Sequence, residues 1–364
     1  KVLGGCSSIN GMIYMRGQSR DYNQWAAITG DARWNWEHSL PYFKMHEDHY
    51  LGANALHGAK GTPSEMVQQG QSVYHQTLRH RNAGGEWRIE KQRLRWDVLD
   101  AFAQAAVQAG IPATDDFNRG SNEGVGYFEV NQKSGWRWNT AKAFLRPTCY
   151  GRPNFEMWTS AQVSKLLMET LPNGQQRCTG VEVWNGREMV TAQASQSVVL
   201  TAGAIGSPQL LQLSGIGHPG LLEPLGLPVL APLRGVGENL QDHLQARLVY
   251  KSNEPTLNDE VGSWLGQARI GLKYLMFRSG PMTMAASLAT GFMKTRPEVE
   301  TPDIQFHVQP LSAENPGRGA DKFSAFTTSV CQLRPESRGE IRLASADGRT
   351  YPKIIPNYLA TETD

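Results

Sequence analysis

The chain has 364 residues, with 36 Lys plus Arg against 34 Asp plus Glu (net charge +2), and is 40% hydrophobic and 19% charged. Such a length buries a large core and suits about two domains, while the near balance of charge argues against a basic field drawn to nucleic acid. Cys6, Cys149, Cys178 and Cys331 are scattered with no CxxC pair, which argues against a disulfide framework or zinc finger and for a reducing cytoplasm; no run of about 18 apolar residues reads as membrane-spanning.

In chain order, residues 2–17 (VLGGCSSINGMIYMRG) come first, with glycines where a strand would turn into a helix. Gly4, Gly5 and Gly11 lack Cβ atoms, so backbone N–H groups there can face a diphosphate closely. Ser7, Ser8 and Asn10 add side-chain donors, and Met12 and Ile13 suit the neighbourhood of a flat apolar ring. Taken alone, a short run of this kind is more often a tight turn capping a helix. Residues 22–50 carry short helical periodicity that should break at Gly30 and Pro41, and residues 60–81, polar and Gln-rich, read as an exposed insertion or long loop. Across 96–109, Val98, Phe102, Ala105 and Ala106 recur at helical spacing, with Gly110 as the stop.

Residues 154–168 read as a strand region, 180–184 and 189–192 as a hairpin, and 197–201 (SVVLT) as a short buried strand. The last should pass through Ala202-Gly203-Ala204 into a helix beginning near Ser207-Pro208, a βα unit whose helix N-terminus favours negative charge. Beyond Asp242, extended segments such as PDIQFHVQP (302–310) and RGEIRLAS (338–345) alternate with helical stretches, an α+β pattern with an antiparallel sheet.

Other signals read as structural. GxGxxG at 215–220 follows a helix rather than a strand, with Pro219 interrupting the next turn, so it is a loop and not a dinucleotide fingerprint. His46-Glu47-Asp48-His49 has no third ligand patch nearby and reads as a solvated polar face; no metal is expected. No GxSxG elbow is present. Of the ten tryptophans, Trp25, Trp34, Trp36, Trp87, Trp96, Trp136 and Trp138 gather in the first 140 residues, a distribution that favours packing over a cation cage.

Residues 2–17 and 201–217 (TAGAIGSPQLLQLSGIG) together resemble the two signature motifs of the glucose–methanol–choline (GMC) family of flavoenzymes. RWNTAKAFLRP (137–147), GVGENLQDHL (235–244) and PESRGEIRLAS (335–345) are similar to further family blocks, so the resemblance covers the chain apart from 60–81. It implies an α/β plus α+β fold: an incomplete Rossmann-like FAD-binding domain (1–40 and 150–242) and a substrate domain on an antiparallel sheet (41–149 and 243–364). It implies FAD contacts from Val2, Gly4, Gly5, Ser7, Asn10, Gly11, Met12 and Ile13, from the backbone of Val163 at the adenine, and from Ala202 and Gly203 at the ADP part. Ile9 stands where members that tether FAD carry histidine, which implies noncovalent FAD.

The implied activity is oxidation of a primary alcohol to an aldehyde, with a histidine taking the hydroxyl proton and hydride passing to flavin N5. That histidine and its His or Asn partner are expected beyond Asp364, and the family's phosphate loop before Lys1. No residue here is therefore assigned to catalysis, and the chain alone is expected to be inactive. His243 and His307 read as structural or pocket-lining. Choline is the less favoured substrate, because Leu288 stands where choline-specific relatives carry glutamate. A hydroxynitrile lyase on the same scaffold and an inactive fragment are the rival readings. The expected partner is a small alcohol; the electron acceptor and oligomeric state are not read. The expected location is cytoplasmic, with peripheral attachment at the inner membrane left open because membrane-associated relatives exist.

Overall fold

The computed structural model describes residues 2–60, 85–314 and 319–364. Nearly all of the expected loop at 60–81 lies outside them. The chain divides into two compact units, Lys1–Phe155 with Gln245–Leu333 and Glu156–Leu244 with Arg334–Asp364. This division differs from the one expected: residues up to 40 join the first unit, because Ile13–Tyr14 is hydrogen-bonded there into a sheet, and 334–364 join the second.

The first unit is built on a five-stranded antiparallel sheet in the order Gln245–Lys251, Ala325–Gln332, Ile304–Gln309, Ala289–Met293, Gly124–Tyr127. Gly126 has no room for a side chain, since a Cβ would stand 2.1 Å from the carbonyl oxygen of Thr114. The helix Asp97–Gln108 starts after an extended Trp96, carries Asp97 and Asp100 in its first turn where the dipole favours them, and ends before Gly110 at φ 96°. Its Leu99 is fully buried with Leu288, Ala289 and Val308, while Val98 and Phe102 flank that cluster. Alternation and helical spacing thus converge on one core.

A smaller sheet, in the order Ile13–Tyr14, Glu129–Val130, Trp87–Lys91, Glu47–His49, fixes the end of the first motif. Gly30 at φ 68° ends the helix Ser19–Thr29 as expected. Pro41 does not end its helix: Trp36–His46 runs through it, held by packing of Trp36 and Phe43 on Tyr22. One lost backbone hydrogen bond is outweighed by this aromatic contact.

The expectation of a solvated face at 46–49 is overturned. Glu47 and His49 are 1% and 2% exposed and belong to a buried ionic cluster. Glu47 accepts from the guanidinium of Arg16, the hydroxyl of Tyr14 and Nδ1 of His57 at 3.1 Å. His57 Nε2 reaches Asp116 Oδ2 at 3.3 Å, its ring stacks on His49 at 3.9 Å, and His49 Nε2 meets Glu129 Oε1 at 2.9 Å. Arg16 also donates to the carbonyls of Leu56 and Asn118, each at 3.0 Å. The segment is polar because these charges find one another inside the fold, which a short window cannot reveal. Among the described residues no group of His, Cys, Asp and Glu could hold a metal ion.

The second unit holds the antiparallel strands Gln162–Thr170, Gln176–Trp184 and Met189–Gln193, the helix Gly203–Leu213, and the strand pair Glu340–Arg342 with Lys353–Ile355. The hairpin at 180–192 forms as expected, whereas 154–161 is irregular. Residues 197–201 make no strand: no described segment offers them a ladder, and Val199 is 79% exposed. The helix begins at Gly203, four residues before the expected start, leaving Pro208 in its interior. Pro219 opens a single helical turn, Pro219–Leu222, instead of interrupting one. No helix among the described residues is long and apolar enough to cross a membrane.

Two measurements test this account. Leu99→Ala should cost about 3 kcal/mol in urea unfolding, against less than about 0.5 kcal/mol for Leu272→Ala on an exposed surface. Burial disfavours the charged ring of His57, but hydrogen bonds to Asp116 and Glu47 outweigh it and raise its pKa from 6.5 to about 9. The folded state therefore binds this proton more tightly than the unfolded chain. The resulting stabilisation is full below pH 6.5 and is lost as the pH rises through about 9. The melting temperature should fall across that window more steeply in the wild type than in His57→Gln.

Candidate cofactor-binding segments

The first motif is a strained strap. Gly4 and Gly5 both lie in the left-handed region, at φ 87° and 55°, and lead into the single 3-10 turn Gly5–Ser8. At Gly4 a Cβ would stand 2.5 Å from Ser8 Oγ, so glycine is required on both conformational and steric grounds. At Gly5 a Cβ would meet nothing within 4 Å, leaving the backbone open on that side. Ser7 Oγ donates to the Gly4 carbonyl, and Ser8 Oγ to that of Leu3 at 2.6 Å.

The strap is fastened again at its far end. A Cβ on Gly11 would press to 2.8 Å on that of Ala286. Met12 adopts φ 62°, rare for a residue with a side chain. Three contacts hold it: its N–H donates to Asn10 Oδ1 at 3.1 Å, its carbonyl accepts from Asn131 N at 2.8 Å, and Gln132 Nε2 donates to its sulfur at 3.6 Å. Its side chain is buried, and Ile13 packs beside Phe117, Phe128 and Phe292. The large apolar side chains of this stretch that face outward are Val2, Leu3 and Ile9, with Ile9 77% exposed.

In the second motif, Ala202 caps the helix Gly203–Leu213 without a side-chain hydrogen bond, and the first turn holds no acidic residue. Gly203 lies at φ 81°, with nothing within 4 Å of where a Cβ would sit. The first-turn N–H groups keep their partial positive charge unopposed by a side chain. At the other end of the helix, Ser214 Oγ donates to the Leu210 carbonyl at 2.6 Å and accepts from Leu166 N at 2.8 Å. That bond ties the helix to the strand carrying Val163, which pairs with Val183 beside an irregularity in the ladder. Val163 is half-buried, and its carbonyl accepts from Gln162 Nε2 at 3.1 Å.

In the first unit, the open side of Gly5 suits close approach of an anionic group to backbone; in the second, the uncapped helix start at Gly203 does the same. Val2, Gly4, Gly5, Ser7, Asn10, Gly11, Met12 and Ile13 come together in the first unit, and Val163, Ala202 and Gly203 belong to the second. Sequence reasoning missed Arg137, Asn139 and Thr140, which bond to the strap; their signal was the unassigned block RWNTAKAFLRP.

The description of GMC oxidoreductases matches residues 1–245. Mitochondrial choline dehydrogenase of Mus musculus is 36% identical over 364 residues, covering 100% of this chain and 56% of its own length. Oxygen-dependent choline dehydrogenase of Pectobacterium carotovorum is 37% identical, covering 100% of this chain and 60% of its own length. Among solved structures, pyridoxine 4-oxidase from Mesorbium loti superposes with a TM-score of 0.78 at 26% identity, over 98% of this chain and 61% of that one. A formate oxidase shares the fold with a TM-score of 0.79 at 20% identity, over 100% of this chain and 64% of that one. The chain thus spans 56% to 60% of the length of these curated relatives. It belongs to the GMC oxidoreductase family, with an α/β FAD-binding part and a sheet-based substrate part.

Proposed function

We propose that this chain carries the FAD contacts, and part of the substrate domain, of an enzyme that oxidises a primary alcohol without fixed charge to its aldehyde. FAD is the cofactor of the family and accepts the hydride when bound. The observation that carries the reading is that each motif, taken by itself, offers backbone to an anionic group: an open-sided left-handed Gly5 in the first, and an uncapped helix start at Gly203 in the second. Gly4, Gly5, Ser7 and Asn10 present backbone and polar groups to the cofactor; Val2, Gly11, Met12 and Ile13 bound its flavin end. Val163, Ala202 and Gly203 serve the ADP end. Residues 1–40 and 150–242 then do the cofactor's work and 41–149 with 243–364 the substrate's, a functional division that cuts across the compact units. With Ile9 in place of a tethering histidine, FAD is held noncovalently. A cytoplasmic location belongs to the same reading and is supported by four free cysteines, which suit a reducing compartment.

Choline is the second reading, supported by the names of the 36% and 37% identical relatives. Against it, Leu288 is fully buried among Leu99, Ala289 and Val308 and supplies no counter-charge. The face of Trp136 is already taken by Arg278 at 4.4 Å and Lys142 at 5.6 Å, so it offers no free aromatic wall to a quaternary ammonium.

The test uses the product of the complete gene. It should purify with a flavin absorbance band, and acid precipitation should release the flavin into the supernatant. Added anaerobically, a simple primary alcohol should bleach the band at least about tenfold faster than choline, a difference of ~1.4 kcal/mol in barrier. A flavin that stays oxidised with every alcohol would point to lyase chemistry and overturn the proposal.

A further inference from the structure

We infer that Arg137, Asn139 and Thr140 are positioning residues for the cofactor, clamping residues 4–10 into the shape that receives FAD. The inference rests on the FAD reading of the strap and goes beyond it by giving the block RWNTAKAFLRP a task. The strap's internal bonds, from Ser7 Oγ to the Gly4 carbonyl and from Ser8 Oγ to that of Leu3, close one 3-10 turn entered through two left-handed glycines, the residues that lose most conformational freedom on ordering. That leaves part of its conformation to be imposed from outside.

Residues 137–140 impose it through hydrogen bonds to successive members of the strap. Thr140 donates its N–H to Ser7 Oγ at 3.0 Å and its hydroxyl to the Gly4 carbonyl at 3.1 Å. Asn139 Nδ2 donates to Ser8 Oγ at 2.9 Å. Arg137 Nη1 spans two acceptors, Asn10 Oδ1 at 2.8 Å and the Ser7 carbonyl at 3.3 Å. Asn10 Oδ1 is also the acceptor for Met12 N, so Arg137 orients the side chain that stabilises the left-handed Met12.

The clamp is itself braced. Lys142 Nζ donates to the Arg137 carbonyl at 2.7 Å, and its N–H to Asn139 Oδ1 at 2.9 Å. Both strap acceptors of Arg137 are neutral, so its charge is not cancelled there. Burial lowers the pKa of Arg137 and, together with Arg146 and Arg137, that of Lys142.

Hydrogen exchange of residues 4–12 and FAD titration by fluorescence quenching test this on the complete gene product stripped of flavin. Thr140→Val should speed exchange and weaken FAD binding, each by about tenfold, at an unchanged melting temperature, and Thr140→Ser should restore both. Arg137→Lys should behave like Arg137→Ala, because a lysine side chain is one atom shorter and does not carry its donor to the position of Nη1; this pair decides the matter if Thr140→Val fails to fold. Wild-type exchange and FAD affinity in Thr140→Val and in Arg137→Ala would overturn the clamp alone. A wild-type protein that does not quench FAD fluorescence would overturn the cofactor reading, and the clamp's purpose with it.

Discussion

The buried pairing of Arg16 with Glu47 is the constraint on which the first unit's cofactor segment depends. Taking either partner away leaves a charge stranded in the interior, a cost of about 3–5 kcal/mol, so the register around it has little freedom. Arg16 also donates its backbone N–H to Asn118 Oδ1 at 2.7 Å, which fixes the main chain as well as the side chain. Two residues earlier Tyr14 is drawn to the same carboxylate, and Ile13 and Tyr14 pair with Val130 and Glu129. With the chain fixed there and closely packed at Gly11, the intervening Met12 is left in the left-handed region. The strain at Met12 is thus the local consequence of an ionic constraint deeper in the fold.

The two ends of the strap are secured by different chemistry. At Arg16 the bonds are charged, buried and costly to break; at Gly4 to Ser8 they are neutral apart from the one from Arg137 to the Ser7 carbonyl, and the neutral ones are worth about 1 kcal/mol each. Local opening therefore concentrates at the glycine end. That is also the end with an open side at Gly5 and outward apolar groups at Val2 and Ile9. A segment rigid at one end and yielding at the other can admit a long cofactor without loosening the sheet that aims it.

What the sequence reveals follows the range of the interactions. The helix at 97–108, its stop at Gly110 and the hairpin at 180–192 rest on local periodicity and turn chemistry, and all are legible. The strap glycines are legible because left-handed backbone demands that residue type. Glu47, His57 and Asp116 are not, because their partners lie tens of residues away and a polar window looks the same whether solvated or neutralised inside. Residues 197–201 fail in the opposite sense: an apolar run has strand propensity, but a strand exists only when a neighbour supplies the ladder. Pro41 and Pro208 show packing overriding a local rule.

The same trade appears in both units. A Ser, Thr, Asp or Asn at the position of Ala202 would stabilise the helix by about 1 kcal/mol, and Gly5 and Gly203 are glycines that lose much conformational freedom on ordering. Both costs are carried. Ala202 leaves N–H groups without a side-chain acceptor, and left-handed glycines leave backbone uncovered where nothing else comes within 4 Å. Local rules are broken where a bound group would offset the loss, by accepting from those N–H groups and covering that backbone. On the proposed FAD reading, the stability missing from each segment is what a bound cofactor would restore.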